Sequence, residues 1–196
     1  MKTYERTVTT TEPRLVISHD ETATSPREDD NLGHFITVDS NYYSPDRDEN
    51  LESIIKANGD RAKNQADHIR MIKNGIEAET DEKVLAIYPV SKYEHSGISY
   101  KLGSFSGFDH SNNGFYIVTE KSQKVVGTEK KDFEKVIQAE IDLYNKYVGG
   151  EIYQFVLIDK DGEFEDSCCG FYKIEDIREH LPEEWKDEDL EKYYEI

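Results

Sequence analysis

From position 133 onward the chain spells a helix, a stop and a hairpin in direct succession. That order confines it to folds that mix helices with an antiparallel sheet. Phe133, Val136, Ile137, Ile141, Tyr144 and Val148 recur at the three- and four-residue steps of one helix face, and Gly149-Gly150 follows as a stop. Residues 152–158 then read as the clearest strand of the sequence, turning at Asp159-Lys160-Asp161-Gly162 into a second strand. Phe155 and Leu157 are two apart, so both should be buried on the same face of that strand.

Upstream, residues 51–72 carry Leu51, Ile54, Ile55, Ala62, Ala66, Ile69 and Ile72 at helical spacing. Asn58-Gly59 can split this run into two helices, and Asn74-Gly75 reads as its stop. Residues 84–90, 98–105 and 115–119 read as three strands of a meander, separated by glycine-rich loops around Gly97, Gly107 and Gly114. Residues 34–39 have strand character, and Leu15-Val16-Ile17 can supply an edge strand. Ile174, Ile177 and Leu181 suggest a short helix, with an acidic one after Pro182. The expected fold is α+β: an antiparallel sheet over about residues 84–170, packed by helices near 51–72 and 131–148, with an acidic C-terminal helix. The expected organisation is a loosely ordered segment 1–30, one α+β domain over 31–181 and an acidic segment 182–196.

Charge narrows the function classes. Among 196 residues, 42 are acidic and 24 basic, a net −18. The 13 Tyr and 8 Phe are too many for a disordered acidic chain, so the surplus belongs to a folded surface. Residues 159–196 hold 15 acidic and 5 basic residues. Such a surface is repelled by nucleic acid and by anionic membranes, and is suited to basic proteins. No run reaches the ~18 apolar residues of a membrane span, and no apolar signal-peptide core follows Met1 to Thr7, so the cytoplasm is the expected compartment. Cys168 and Cys169 are adjacent, which excludes an ordinary disulfide between them and suits free thiols.

Four strings stand out in order: Asp30-Asn31-Leu32-Gly33, Tyr93-Glu94-His95-Ser96-Gly97-Ile98, Phe108-Asp109 with Gly114-Phe115, and Asp166-Ser167-Cys168-Cys169-Gly170-Phe171-Tyr172. Together they resemble a family of small acidic proteins carried by bacteriophages and mobile elements, over about residues 25–175. That family tends to have tryptophan where this chain has Phe108 and Cys169, and Ser-Gly where it has His110-Ser111. The resemblance implies a phage or mobile-element origin and a host-cell setting. It implies no particular activity.

Two constellations can carry function. In the first, Cys168 would act as nucleophile, His95 as base, and Asp109 or Asp166 as orienter. The neighbouring Glu163, Glu165 and Asp166 oppose a thiolate, and the competing reading packs Cys168 beneath the hairpin. His95, Asp109, His110 and Asp166 lack zinc-ligand spacing, and Asp159-x-Asp161-Gly162 lacks the rest of a calcium loop, so neither metal nor cofactor is expected. In the second constellation, Glu183, Glu184, Asp187, Glu188, Asp189 and Glu191 crowd the C-terminal end beside Trp185. On a helix, carboxylates three or four apart would lie ~5–6 Å from one another, comparable with successive phosphates.

The reading that follows is a non-catalytic inhibitor of a host defence nuclease, of the anti-CRISPR or anti-restriction type. It would occupy the basic nucleic-acid channel of its target as a nucleic-acid mimic, touching neither nucleic acid nor membrane. A small His/Asp/Cys enzyme and a phage accessory scaffold are the alternatives.

Overall fold

A computed structural model describes residues 12–39 and 41–195. The class is α+β, with antiparallel sheets packed by helices. The strands divide between two sheets, and the chain divides into two compact units: residues 25–149, and residues 1–24 with 150–196. The expected boundaries at 30 and 181 do not coincide with these units. The first strand belongs with the hairpin that follows position 150, not with a loose leader.

In the larger unit, β2 (His34–Thr37), β3 (Val84–Glu94), β4 (Ile98–Leu102) and β5 (His110–Thr119) form a sheet of order β2-β5-β3-β4. The expected meander is therefore corrected: β5 returns to the far side of β3 and pairs there with β2. Its sequence explains this central place. Phe115, Tyr116, Ile117 and Val118 are all buried, so β5 must be covered on both faces. Phe115 and Ile117 pack with α1 (Glu49–Gly59) and α2 (Gln65–Glu79), while Tyr116 and Val118 pack with α4 (Phe133–Val148). A short α3 (Glu120–Val126) starts directly from β5, with Thr119 and Ser122 forming a reciprocal capping box.

The helix boundaries follow local chemistry. Asp48 caps α1 through the amides of Asn50 and Leu51, and the split at Asn58-Gly59 is present. The expected stop at Asn74-Gly75 is absent, because α2 runs through it to Glu79. Gly75 lies where α2 crosses α1, and a Cβ there would come within 2.8 Å of the Ile54 side chain. It permits close helix packing instead of ending the helix.

One buried charge ties the larger unit together. The Arg27 side chain is 3% exposed and uses all five of its donors. Asp46 accepts two, at 2.7 and 2.9 Å; Asn31, Glu140 and the Gly33 carbonyl accept one each, at 2.7, 3.0 and 2.7 Å. Glu140 also accepts from the Leu32 amide and from the Tyr116 hydroxyl. The Asp30-Asn31-Leu32-Gly33 string is thus part of a structural lock.

Three tyrosines of this core give an alkaline test. Burial pushes Tyr100 up to about 12 and raises Tyr116 and Tyr144 further, with Arg27 pulling the other way on the last two. A phenol whose folded pKa exceeds the unfolded value of 10.0 leaves stability complete below that pH. As pH rises from 10 through 12, the unfolded chain releases protons that the folded chain retains, and stability falls. Tyrosinate absorbance should therefore gain a late component coincident with loss of the circular dichroism signal. Full titration of the tyrosines before unfolding would contradict the burial.

In the smaller unit, β1 (Arg14–His19), β6 (Tyr153–Ile158) and β7 (Phe164–Phe171) form a sheet of order β1-β6-β7. Ile17 faces Phe155 and Leu15 faces Leu157 across the ladder, and all four are buried. They pack with Phe171, Ile174, Ile177, Leu181 and Leu190. The expected acidic helix is replaced by two short 3-10 turns, Glu183–Trp185 and Leu190–Tyr193, after a longer one at Ile174–His180. The cause is visible. Arg178 donates to the carbonyls of Lys186 and Glu188, which helical amides would otherwise claim, and 186–189 has no apolar period to bury.

Among the described residues, no helix is long and apolar enough to cross a membrane.

Candidate functional site

The acidic end is held by four apolar anchors, Ile174, Ile177, Leu181 and Leu190, which dock it on its own sheet. Between and around them Glu183, Glu184, Asp187, Glu188, Asp189 and Glu191 all remain exposed. Local cations offset few of them: Lys186 meets Glu183 at 2.9 Å and Lys192 meets Asp189 at 3.5 Å. The Tyr193 hydroxyl donates to Glu188 at 3.1 Å, and the Trp185 and Tyr193 rings meet edge to face at 5.5 Å. The two rings, with Asp159, Glu165, Glu184 and Glu188, line an open cleft of about 520 Å³. The α-helical spacing expected between the carboxylates is absent, since residues 183–191 contain 3-10 turns and no α-helix; what remains is charge density on a fixed backbone.

The partition of charge sharpens this. Residues 1–24 and 150–196 hold 20 acidic and 8 basic residues, a net −12, whereas residues 25–149 hold 22 and 16, a net −6. The smaller unit therefore owns two-thirds of the surplus. The sequence reading located the C-terminal part of it and missed that β7, at Glu165 and Asp166, belongs to the same unit.

The members of the His/Asp/Cys constellation are divided between the two units. The β3–β4 turn, with Ser96 at φ 55°, brings His95 Nδ1 to 3.6 Å from Asp109, with the two side chains 68% and 36% exposed. Tyr93 stacks on His95 and tilts against His110, whose Nδ1 lies 3.4 Å from Ser91 Oγ. Asp166 and Cys168 lie on β7, in the smaller unit. Cys168 is half-buried against the apolar cluster there, with its Sγ 3.9 Å from the Cys169 carbonyl oxygen, and Asp166 accepts from the Ser167 amide at 2.8 Å. Within the larger unit the structure thus pairs His95 with Asp109. Among the described residues, no group of three or more His, Cys, Asp or Glu is placed to hold a metal.

Sequence reasoning missed a second cleft, of about 710 Å³, beside His110 and Asp109. On its wall the Lys92 side chain is 6% exposed, bonded to Asp39 and lying 3.0 Å from Glu94, with its ammonium 4.2 Å above the Tyr42 ring. Tyr42 donates to Glu94 at 2.7 Å. Burial opposes the lysine charge, but the hydrogen bonds to Asp39 and Glu94 outweigh it and raise its pKa. The bonds from Tyr42 and Lys92 lower that of Glu94. Lys92 is therefore a locked ammonium and no nucleophilic amine. The available signal was a lysine inside a strand, between Val90 and Tyr93.

Comparison with protein-family models, with curated proteins and with solved structures finds no match to this chain.

Proposed function

We propose that this chain is a phage- or mobile-element-borne inhibitor that binds the basic surface of a host nucleic-acid-targeting nuclease, in place of its nucleic acid. The carrying observation is the net −12 of residues 1–24 and 150–196, with Glu183, Glu184, Asp187, Glu188, Asp189 and Glu191 exposed on a backbone tied down by Arg178 and by buried Leu181 and Leu190. A fixed array loses less entropy on binding than a flexible acidic tail would. Its field draws in a basic channel at long range. Binding in this mode needs no catalytic group.

The test is nuclease inhibition by the purified chain, measured as protection of DNA from restriction and RNA-guided enzymes across a salt series. Wild type should inhibit, and should weaken steeply as salt shortens the Debye length to ~10 Å at 0.1 M and below beyond it. The fourfold variant Asp187→Asn, Glu188→Gln, Asp189→Asn, Glu191→Gln should bind about tenfold more weakly or worse, while each single change does little. Its folded state should hold or gain stability as like-charge repulsion is relieved. Absence of inhibition, with no competition against DNA for any basic channel, would overturn the proposal.

A further inference from the structure

A sheet edge exposes unpaired amides and carbonyls, and among the described residues three of the four edges are closed by the chain's own groups. On β2, the Asp46 amide donates to the Phe35 carbonyl at 3.0 Å, the Asp46 carboxylate accepts the Phe35 amide at 2.7 Å, and Ser44 accepts the Thr37 amide at 3.0 Å. On β4, the Asn145 side chain accepts the Tyr100 amide at 2.7 Å and donates to the Tyr100 carbonyl at 2.8 Å, acting as a substitute strand. On β1, Tyr194 bridges to Ile17, and the Glu195 amide donates to the Ile17 carbonyl at 2.8 Å.

The fourth edge is β7, and among the described residues no element pairs with its outer side. The strand is exposed at nearly every position. Two irregularities shape it. The ladder skips a residue at Glu165 and another between Cys168 and Phe171, where Gly170 adopts φ 83°, leaving Asp166–Cys168 in regular register with Leu157–Phe155. Ser167 has its amide held by the adjacent Asp166 carboxylate, a local contact that an incoming carbonyl can replace. The charge around this window has one sign. Glu163, Glu165 and Asp166 are exposed, and positions 161–172 contain no Lys or Arg. Two such edges repel one another, whereas a basic strand is attracted.

We infer that β7 is a docking edge for a short, extended, basic segment of the target protein, which adds to the β1-β6-β7 sheet as a fourth strand. Main-chain hydrogen bonds around Asp166–Cys168 supply affinity, and Lys or Arg side chains meeting Glu163, Glu165 and Asp166 select the segment. The bulges confine pairing to about three to five residues. This inference rests on the reading that the acidic unit binds a basic protein.

The probe is a short peptide alternating lysine with threonine, compared with two isomers N-methylated at its odd or at its even residues. Methylation keeps the charge and removes amide donors from one edge only. Binding to the whole chain is followed by calorimetry, and β7 amide exchange by NMR. The parent should bind and slow exchange along Asp166–Cys168; one methylated isomer should lose about tenfold in affinity while the other keeps it. Glu163→Gln with Glu165→Gln should weaken the parent peptide severalfold without altering the backbone. Equal binding of all three peptides without slowed exchange would overturn the edge while leaving the acidic-surface reading standing. No binding of any peptide at low salt would overturn both. Concentration-dependent protection of these amides in the chain alone would show that a second copy covers the edge, which also overturns the inference.

Discussion

Arg27→Ala should destabilise the larger unit by about 3 to 5 kcal/mol in urea denaturation, because it removes one side of a buried ionic network and leaves the other side in place. Asp46 and Glu140 would lose their countercharge, and Asn31 and the Gly33 carbonyl their donor. Arg27→Lys is the informative companion. It keeps the charge, but a lysine has three donors on one nitrogen and cannot reach partners that lie around a planar fork. The lysine variant should recover only part of the loss. If Arg27→Ala costs less than about 1 kcal/mol, as for an exposed pair, the network is not buried as described.

Phe155→Ala should cost about 3 to 5 kcal/mol in the smaller unit, the range for deleting a fully buried phenylalanine. Phe155 is 1% exposed on the central strand, faces Ile17 across the ladder and has its ring 6.1 Å from that of Phe171. The resulting cavity lies between a sheet and 3-10 turns, and the turns are tied to the sheet by Leu181 and Leu190. Trp185, the only tryptophan, packs against this cluster, so its fluorescence reports the transition of this unit directly. A change below about 0.5 kcal/mol would mark Phe155 as exposed and the strand register as wrong.

The parts of the fold that sequence revealed are those governed by short-range periodicity. The helix at Phe133–Val148, the β6 strand, the break at Asn58-Gly59 and the buried face of Phe155 and Leu157 each follow from residues a few positions apart. What stayed hidden depends on distant partners. Arg27 meets Glu140 across 113 positions, and nothing near either residue announces the other. The glycine at 75 reads as a helix stop until Ile54 is seen against it. The acidic run reads as a helix because Glu and Asp at three- and four-residue steps fit one; Arg178 decides otherwise. The candidate site was half legible for the same reason. Charge density at 183–191 is a local property, whereas the place of β7 in the same unit follows from its pairing with β6 and, through it, β1.

The placement of β1 has a consequence for biosynthesis. Ile17 must find Phe155, and the whole larger unit, residues 25–149, is translated between them. That unit is contiguous in sequence and can fold as it emerges, with β2 meeting β5 and α1 meeting α2 before the hairpin exists. At ordinary elongation rates of ~5–20 residues per second, Leu15, Val16 and Ile17 wait on the order of ten seconds for β6. During that interval the apolar triplet Leu15-Val16-Ile17 is unpaired on a nascent chain. Slow translation or premature arrest after position 149 should therefore yield a folded larger unit carrying a sticky leader, which makes the hairpin's arrival the step that governs soluble yield.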